Sequence, residues 1–389
     1  MMRLFVNGTA ASAGGGLTYL RNVIPHLSLR KDVQIIVAID PNSCSQLPLP
    51  ANVTVLKSPL GQGAGRRFLW EQFRIPRQIR AADADVLLST GNFALRNSPV
   101  PQVLLSGNSL YLSKDFSRDL RNRHEYRMLA EHYARSALAT RSIAWADCTV
   151  APSQSFAGDL QQWTGEEKIV AIHHGFDQGA FFRDSAPLPR EVLSKLDSSP
   201  NALRLLFVSH YNYYRNFETL FRAVALLSQN YGKDVKLFLT CRLRPDETPG
   251  SYQVQRAATL IQELGIAANI IELGHIPNPL LHRVYRACQI YVSASYAETF
   301  AHPLVEAMAC GLPVVASDLP VHREICRDAA IYFDRFSPQE LADRILELSG
   351  RRELQGKMLK AGEARALEFS WSLHVEELLA VMRSLCSAK

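Results

Sequence analysis

Paired cysteine spacings, long apolar runs and a dominant charge of one sign are all missing from this chain. The seven cysteines, Cys44, Cys148, Cys241, Cys288, Cys310, Cys326 and Cys386, include no C-x2-C pair. That scatter argues against a structural zinc cluster or a disulfide framework and favours a reducing compartment, with most thiols in the core. The stretch from Met1 to Val6 runs straight into Asn7 and Gly8, without the apolar segment of a secretory signal. No uninterrupted apolar segment is long enough to span a bilayer. The expected location is cytoplasmic, with peripheral contact on the inner face of a membrane left open because it needs neither feature. The net charge of +6 eases encounter with an anion without distinguishing nucleotide, nucleic acid and membrane. A nucleic-acid module, or sustained interleaving of basic and aromatic residues, is also absent.

What is present is material for two cores. At 389 residues, with 47% hydrophobic and 21% charged residues, the chain exceeds the size of one small domain and is not disordered in composition. Short apolar runs alternate with helical periodicity throughout. In the first half they lie at 4–6, 34–39, 53–56, 85–90, 101–105, 148–151 and 168–172. In the second they lie at 203–208, 235–240, 270–273, 290–292, 314–316 and 330–333. This alternation predicts two α/β layers with mostly parallel sheets.

The most informative stretch runs from Glu298 to Asp318. Ile290 to Val292 is a strand candidate, and Pro303 suits the first turn of a helix that places Glu306 near its start. Gly311 can end that helix in a left-handed conformation, and Pro313 discourages its continuation before Val314 to Ala316. Two carboxylates, Glu298 and Glu306, thus flank a helix amino end whose free N–H groups, around Phe300, Ala301 and His302, can hold an anion. Local physics equally allows a surface charge at Glu298 and a favourable first-turn acid at Glu306.

The Glu298-x7-Glu306 spacing with the following Gly-Leu-Pro-Val-Val-Ala-Ser-Asp resembles the donor-binding motif of retaining, nucleotide-sugar-dependent glycosyltransferases of family 4, group 1. The resemblance covers nearly the whole chain. It implies a GT-B architecture: two facing Rossmann-like domains, acceptor recognition in the first and donor binding in the second. The implied boundaries are 1–183 for the acceptor domain, 184–201 for a proline-containing linker, 202–370 for the donor domain, and 371–389 for a terminal helix returning to the first domain. Arg215 and Glu298 are the catalytic candidates. Ser209, His210 and Arg215 fall on the loop that holds donor diphosphate in relatives. Glu298 would meet donor-sugar hydroxyls, and Glu306 ribose hydroxyls. Gly274, His275 and Ile276 would close on the base. Relatives often carry glycine where Ala301 or His302 stands, so loop shape is expected to differ here.

On the acceptor side, Gly14, Gly15 and Gly16 match the position of a glycine-rich loop, though a flexible connection explains them as well. Asn108 stands where relatives often place a histidine, and an amide cannot act as the titrating base that an imidazole can be. Ser153 resembles a cleft serine, with a helix-cap role nearly as attractive. Arg66, Arg67, Arg74 and Arg77 mix with Phe68, Leu69, Trp70, Phe73 and Ile75. They form either a face for an acidic lipid surface or an ordinary basic surface helix. His322, Glu324 and Cys326 make a poor metal pattern, and no metal site or catalytic metal is expected.

The implied reaction transfers a hexosyl group from a nucleotide diphosphate sugar to a glycan or lipid-linked oligosaccharide, with retention, in cell-envelope polysaccharide assembly. Its cofactor list is empty, the nucleotide sugar being substrate. A nucleotide-sugar epimerase or hydrolase and a weakly catalytic glycan-binding scaffold are the rival readings.

Overall fold

The computed structural model describes residues 1–11, 14–58, 64–247 and 252–387. The chain divides into two units, one of residues 1–175 with 370–389, the other of residues 176–369.

The first unit holds seven strands: β1 (Met2–Asn7), β2 (Val33–Ile39), β3 (Val53–Lys57), β4 (Val86–Ser89), β5 (Gln102–Leu105), β6 (Cys148–Ala151) and β7 (Ile169–Ala171). They pair in parallel in the order β3-β2-β1-β4-β5-β6-β7. Side chains alternate across a strand, so β1 feeds two cores. Leu4 and Val6 pack with Leu17, Leu20 and Ile24 of the Gly14–Ser28 helix, while Phe5 joins Ile75 and Ile79 of the Ala64–Ala81 helix. With both faces covered, β4, β5 and β6 are buried at every residue, which explains their continuous apolar runs.

The Trp371–Ser387 helix belongs to this first unit, burying Trp371, Val375, Leu378, Leu379 and Met382 against the β1 side of the core. Each such side chain contributes roughly 1.5–3 kcal/mol. His374 fixes its register. His374 Nδ1 lies 2.8 Å from the His173 carbonyl, which can only accept, so Nδ1 carries the proton and Nε2 accepts from Tyr19 Oη at 2.9 Å. Burial pushes the His374 pKa down to about 4, keeping this neutral tautomer.

The second unit holds β8 (Leu203–Phe207), β9 (Val235–Leu239), β10 (Ile270–Glu272), β11 (Ile290–Ser293), β12 (Val314–Ser317) and β13 (Ala330–Phe333). They are parallel in the order β10-β9-β8-β11-β12-β13. Each sheet therefore reverses direction beside its first strand, at β1/β4 and at β8/β11, where an open α/β sheet leaves a crevice at its carboxyl ends.

The 184–201 segment differs from a plain linker. It carries the Arg190–Asp197 helix, whose Val192 and Leu196 are buried in the second unit's core with Leu188 and Phe181. The units meet at 175/176, ahead of the expected 183, because apolar residues from Phe176 onward pack against the second sheet's helices. Proline content marked an irregular connection; tertiary burial recruited it into a domain.

Candidate active site

The loops leaving β8 and β11 flank the second switch point, and they bring Arg215 and Glu298 together. Arg215 closes the short turn Tyr213–Arg215, whose first residue follows Asn212; Asn212 Oδ1 accepts the Arg215 backbone N–H at 3.2 Å. Asn216 then takes a left-handed conformation, φ 57°, and donates its side-chain amide to the Arg335 carbonyl at 2.6 Å before the Phe217–Ala225 helix begins. These two asparagines shape the loop, and asparagine's tolerance of such turns is the signal that marks them.

Arg215 Nη1 donates to Glu298 Oε1 in a direct ion pair and to Ser295 Oγ at 3.2 Å. Its guanidinium carbon lies 5.1 Å from the centre of the Tyr214 ring. The pair is largely withdrawn from water, with 20% of the arginine and 9% of the glutamate side chain exposed. Charges so placed attract more strongly than surface pairs.

Glu306 lies on the helix His302–Ala309, where Tyr285 Oη donates to its Oε2 at 2.9 Å. Part of the residue remains accessible, yet dense surroundings push its carboxyl up to about 7, opposed by the tyrosine hydrogen bond. The helix starts one residue before Pro303, so Glu306 occupies its second turn rather than the first, and the helix dipole is not its main electrostatic partner. Ala301 precedes the helix at φ 64° and ψ 65°, a left-handed conformation for a residue with a Cβ. Glycine would adopt this conformation without that cost. Ala301 itself has no side chain able to cap the helix. Gly311 does stop the helix, with φ 66°.

Other expected donor residues divide by what their side chains touch. Ser209 donates its hydroxyl to the His210 carbonyl at 2.8 Å. His210 and His275, from the β8 and β10 loops, face each other with ring centres 6.2 Å apart and planes 12° apart. Burial lowers the His210 pKa, with smaller contributions from His275 and Arg215. Gly274 is left-handed, φ 78°, and a Cβ there would lie 3.2 Å from Arg242 Nε. Phe300 and Ile276 point into the core, so only their main chains are available to a ligand. His302 packs its ring 4.9 Å from that of Phe300.

In the first unit, Gly14, Gly15 and Gly16 open the Gly14–Ser28 helix, and residues 12–13 just before it lie outside the described residues. Asn108 Oδ1 accepts the Leu110 N–H at 3.1 Å and caps the turn Ser109–Leu112. Ser153 is buried and caps the Gln154–Thr164 helix, accepting from Phe156 N at 3.2 Å. Sequence reasoning missed the cluster beneath the β1 loop, where Thr9 Oγ1 lies 2.6 Å from both Asn7 Oδ1 and Glu71 Oε1. Burial raises the Glu71 pKa, partly offset by Thr9 and by Arg67, whose Nε is 3.6 Å away. Glu71 sits within a basic, apolar helix pattern, and nothing in that periodicity singles it out. Among the described residues, no three His, Cys, Asp or Glu side chains gather as a metal site.

Two Rossmann-like parallel-sheet units define the GT-B class of nucleotide-sugar glycosyltransferases, with which the solved structures agree. Sucrose-phosphate synthase of Thermosynechococcus elongatus aligns with TM-score 0.77 over 100% of both chains at 18% identity. Anabaena Alr3699/HepE, solved with UDP-glucose, aligns with TM-score 0.72 at 17% identity over 99% of this chain and 100% of that one. Residues 13–179 match the model for Glycosyltransferase Family 4, and residues 191–365 match that for Glycosyl transferases group 1. The chain belongs to the group 1, family 4 glycosyltransferases and is a transferase enzyme that uses nucleotide sugars. D-inositol 3-phosphate glycosyltransferase of Segniliparus rotundus is 28% identical, over 96% of this chain and 85% of that relative. O-antigen chain mannosyltransferase B of Escherichia coli is 32% identical over a shorter span, 25% of this chain and 26% of that one.

Proposed function

We propose that this enzyme transfers a hexosyl group from a nucleotide diphosphate sugar to a hydroxyl of a glycan, lipid-linked oligosaccharide or sugar phosphate, with retention at the anomeric carbon. The observation that carries the reading is Arg215 beside Glu298 at the β8/β11 switch point. A fork of guanidinium donors suits the departing diphosphate, and a carboxylate suits sugar hydroxyls. His210 assists at the phosphates, and the amino end of the His302–Ala309 helix offers N–H groups to the same charge. Glu306 receives ribose hydroxyls. The β10 loop, Gly274 to Ile276, closes on the base through its main chain. Neither glutamate is assigned as a covalent nucleophile; the leaving phosphate takes the acceptor proton on the face from which it departs. Catalysis then rests on positioning and on stabilising charge, without a required metal.

Acceptor recognition falls to the first unit, around Gly14 to Gly16, Asn108 and Ser153. The Ala64–Ala81 helix supports a peripheral role at an acidic membrane. Leu69 is 58% and Phe73 69% exposed, on the side that also exposes Arg66, Arg74 and Arg77. Among the described residues, no helix is long and apolar enough to cross a membrane.

The deciding experiment offers purified protein a panel of UDP-, GDP- and ADP-sugars with glycan, lipid-linked and sugar-phosphate acceptors, D-inositol 3-phosphate included. Mass spectrometry and proton NMR follow the products with and without chelator, the first reading mass increments and the second anomeric configuration and epimerisation, and anionic vesicles are added in a parallel arm. A hexose increment with the donor's anomeric configuration, unchanged by chelator, is the expected result. Epimerised or hydrolysed donor without an increment would overturn the reading, and inversion would overturn its stereochemistry.

A further inference from the structure

His322 stands fully buried in the Pro320–Cys326 helix, immediately after β12. Its Nδ1 is 2.9 Å from the Ser317 carbonyl oxygen, which can only accept, so Nδ1 holds the proton and Nε2 is the bare nitrogen. Burial keeps the ring neutral, pushing its pKa down to about 4. The Ser317 hydroxyl, 3.1 Å from Nδ1, donates to the Ser295 carbonyl. Ser295 Oγ in turn accepts from Arg215 Nη1 at 3.2 Å. Four residues, from the turn after β8, the loop after β11, the end of β12 and the helix that follows it, are thus joined into one relay that ends at the guanidinium beside Glu298.

The relay matters most once a donor is present. Sugar hydroxyls then compete for Glu298, and Ser295 remains as a neutral anchor for Arg215. A residue serving packing alone would be apolar here, since a buried imidazole must satisfy two nitrogens. Among the described residues, His322 Nε2 is a buried acceptor with no protein partner and Arg215 Nε a buried donor with none, so the two ends of the relay carry atoms of opposite hydrogen-bonding sense.

We propose that His322 is a positioning residue for the donor diphosphate, holding Ser317 and Ser295 so that Arg215 keeps its aim when Glu298 turns to the sugar. The inference rests on the reading in which Arg215 meets the donor's phosphates. It is tested on the full chain by titrating UDP, GDP and ADP calorimetrically, with the matching nucleosides by competition. The ratio of diphosphate to nucleoside affinity isolates the phosphate contribution. His322→Asn puts an amide N–H near the place of Nδ1, whereas His322→Gln reaches toward Nε2 and loses that donor.

The expected result is a loss of about 10-fold in diphosphate affinity for His322→Gln and for Ser317→Ala, as for one charge-assisted anchor. Nucleoside affinity stays unchanged and His322→Asn retains the phosphate contribution. In an Arg215→Gln background, His322→Gln adds no further loss. An unchanged ratio in both single variants overturns the proposal, and so does an equal loss for nucleoside and diphosphate, or full additivity with Arg215→Gln. Should His322→Gln fail to fold, Ser317→Ala decides alone. If the wild-type chain binds none of the three diphosphates, the donor reading itself fails and this inference falls with it.

Discussion

Arg215 and Glu298, 83 residues apart in the chain, are ion-paired at the switch point of the second sheet. Each occupies the other's binding capacity, so under the proposed roles, Arg215 toward phosphate and Glu298 toward sugar hydroxyls, donor binding exchanges one charge-assisted contact for two.

Loss of either partner should cost more in catalysis than in folding. Arg215→Gln and Glu298→Gln are each expected to lower kcat/KM by roughly 100-fold, the scale of one preorganised charge-stabilising group. The double variant should lose much less than the product of the two, because the residues act as a unit. Steady-state kinetics with the donor that the nucleotide-sugar panel selects, alongside melting curves, separates these terms; additive losses would count against the shared role.

Glu306 predicts a pH dependence with a definite sign. Its folded pKa, about 7, lies above the ordinary 4.5, so the unfolded chain releases this proton first. Between those values the unfolded state binds fewer protons, and stability from this group falls as pH rises through the window. The neighbouring Tyr285, Tyr291 and Cys310 are themselves raised and stay neutral there. Melting temperatures from pH 5 to 8 should therefore decline less in Glu306→Gln than in wild type. Nucleotide affinity should rise over the same range in wild type, as the carboxylate becomes an acceptor for ribose hydroxyls, and stay flat in the variant.

The left-handed Ala301 is a second test. Ala301→Gly relieves a conformation that disfavours any Cβ, so the fold should be unharmed or gain up to about 1 kcal/mol. Ala301→Val places a β-branched side chain at the same φ and should cost about 2 kcal/mol or more. Chemical denaturation measures both; equal stability of the two variants would contradict the assigned backbone.

Gly175 is the corresponding close approach in the first unit. A Cβ there would come within 2.1 Å of the Trp371 backbone nitrogen, a distance no side-chain rotation can relieve. Gly175→Ala should lower stability by roughly 3 kcal/mol and expose the Trp371–Ser387 helix to limited proteolysis. Resistance equal to wild type would show that this helix is held elsewhere.

Much of this molecule was legible in local pattern. All thirteen strands among the described residues fall on apolar runs visible in the chain, and Gly311 ends its helix as a glycine before Leu-Pro should. The Glu298-x7-Glu306 motif reads as a loop leading into a short helix, and the chain does run from a loop into the His302–Ala309 helix there. Local reading went astray where burial by distant segments intervened. Proline made 184–201 read as a linker although Leu188, Val192 and Leu196 complete a core, and Phe300 and Ile276 read as loop residues although they are core side chains. Glu71, Ser295 and Tyr285 carried no signal, because serine, tyrosine and glutamate are ordinary in helices and loops, while Ser317 stood inside the motif with no role attached to it.

The sequence by itself determined the alternation of strands and helices, the two-core size and the family, since periodicity, turn residues and a motif are properties of neighbouring positions. Only the tertiary structure decided that Arg215 is held by Glu298 and Ser295, that Tyr285 donates to Glu306, and that His322 lies buried behind them. Those relations depend on loops from separate strands converging at one sheet edge. Hydrogen bonding and desolvation act through space, over distances that no local pattern along the chain encodes.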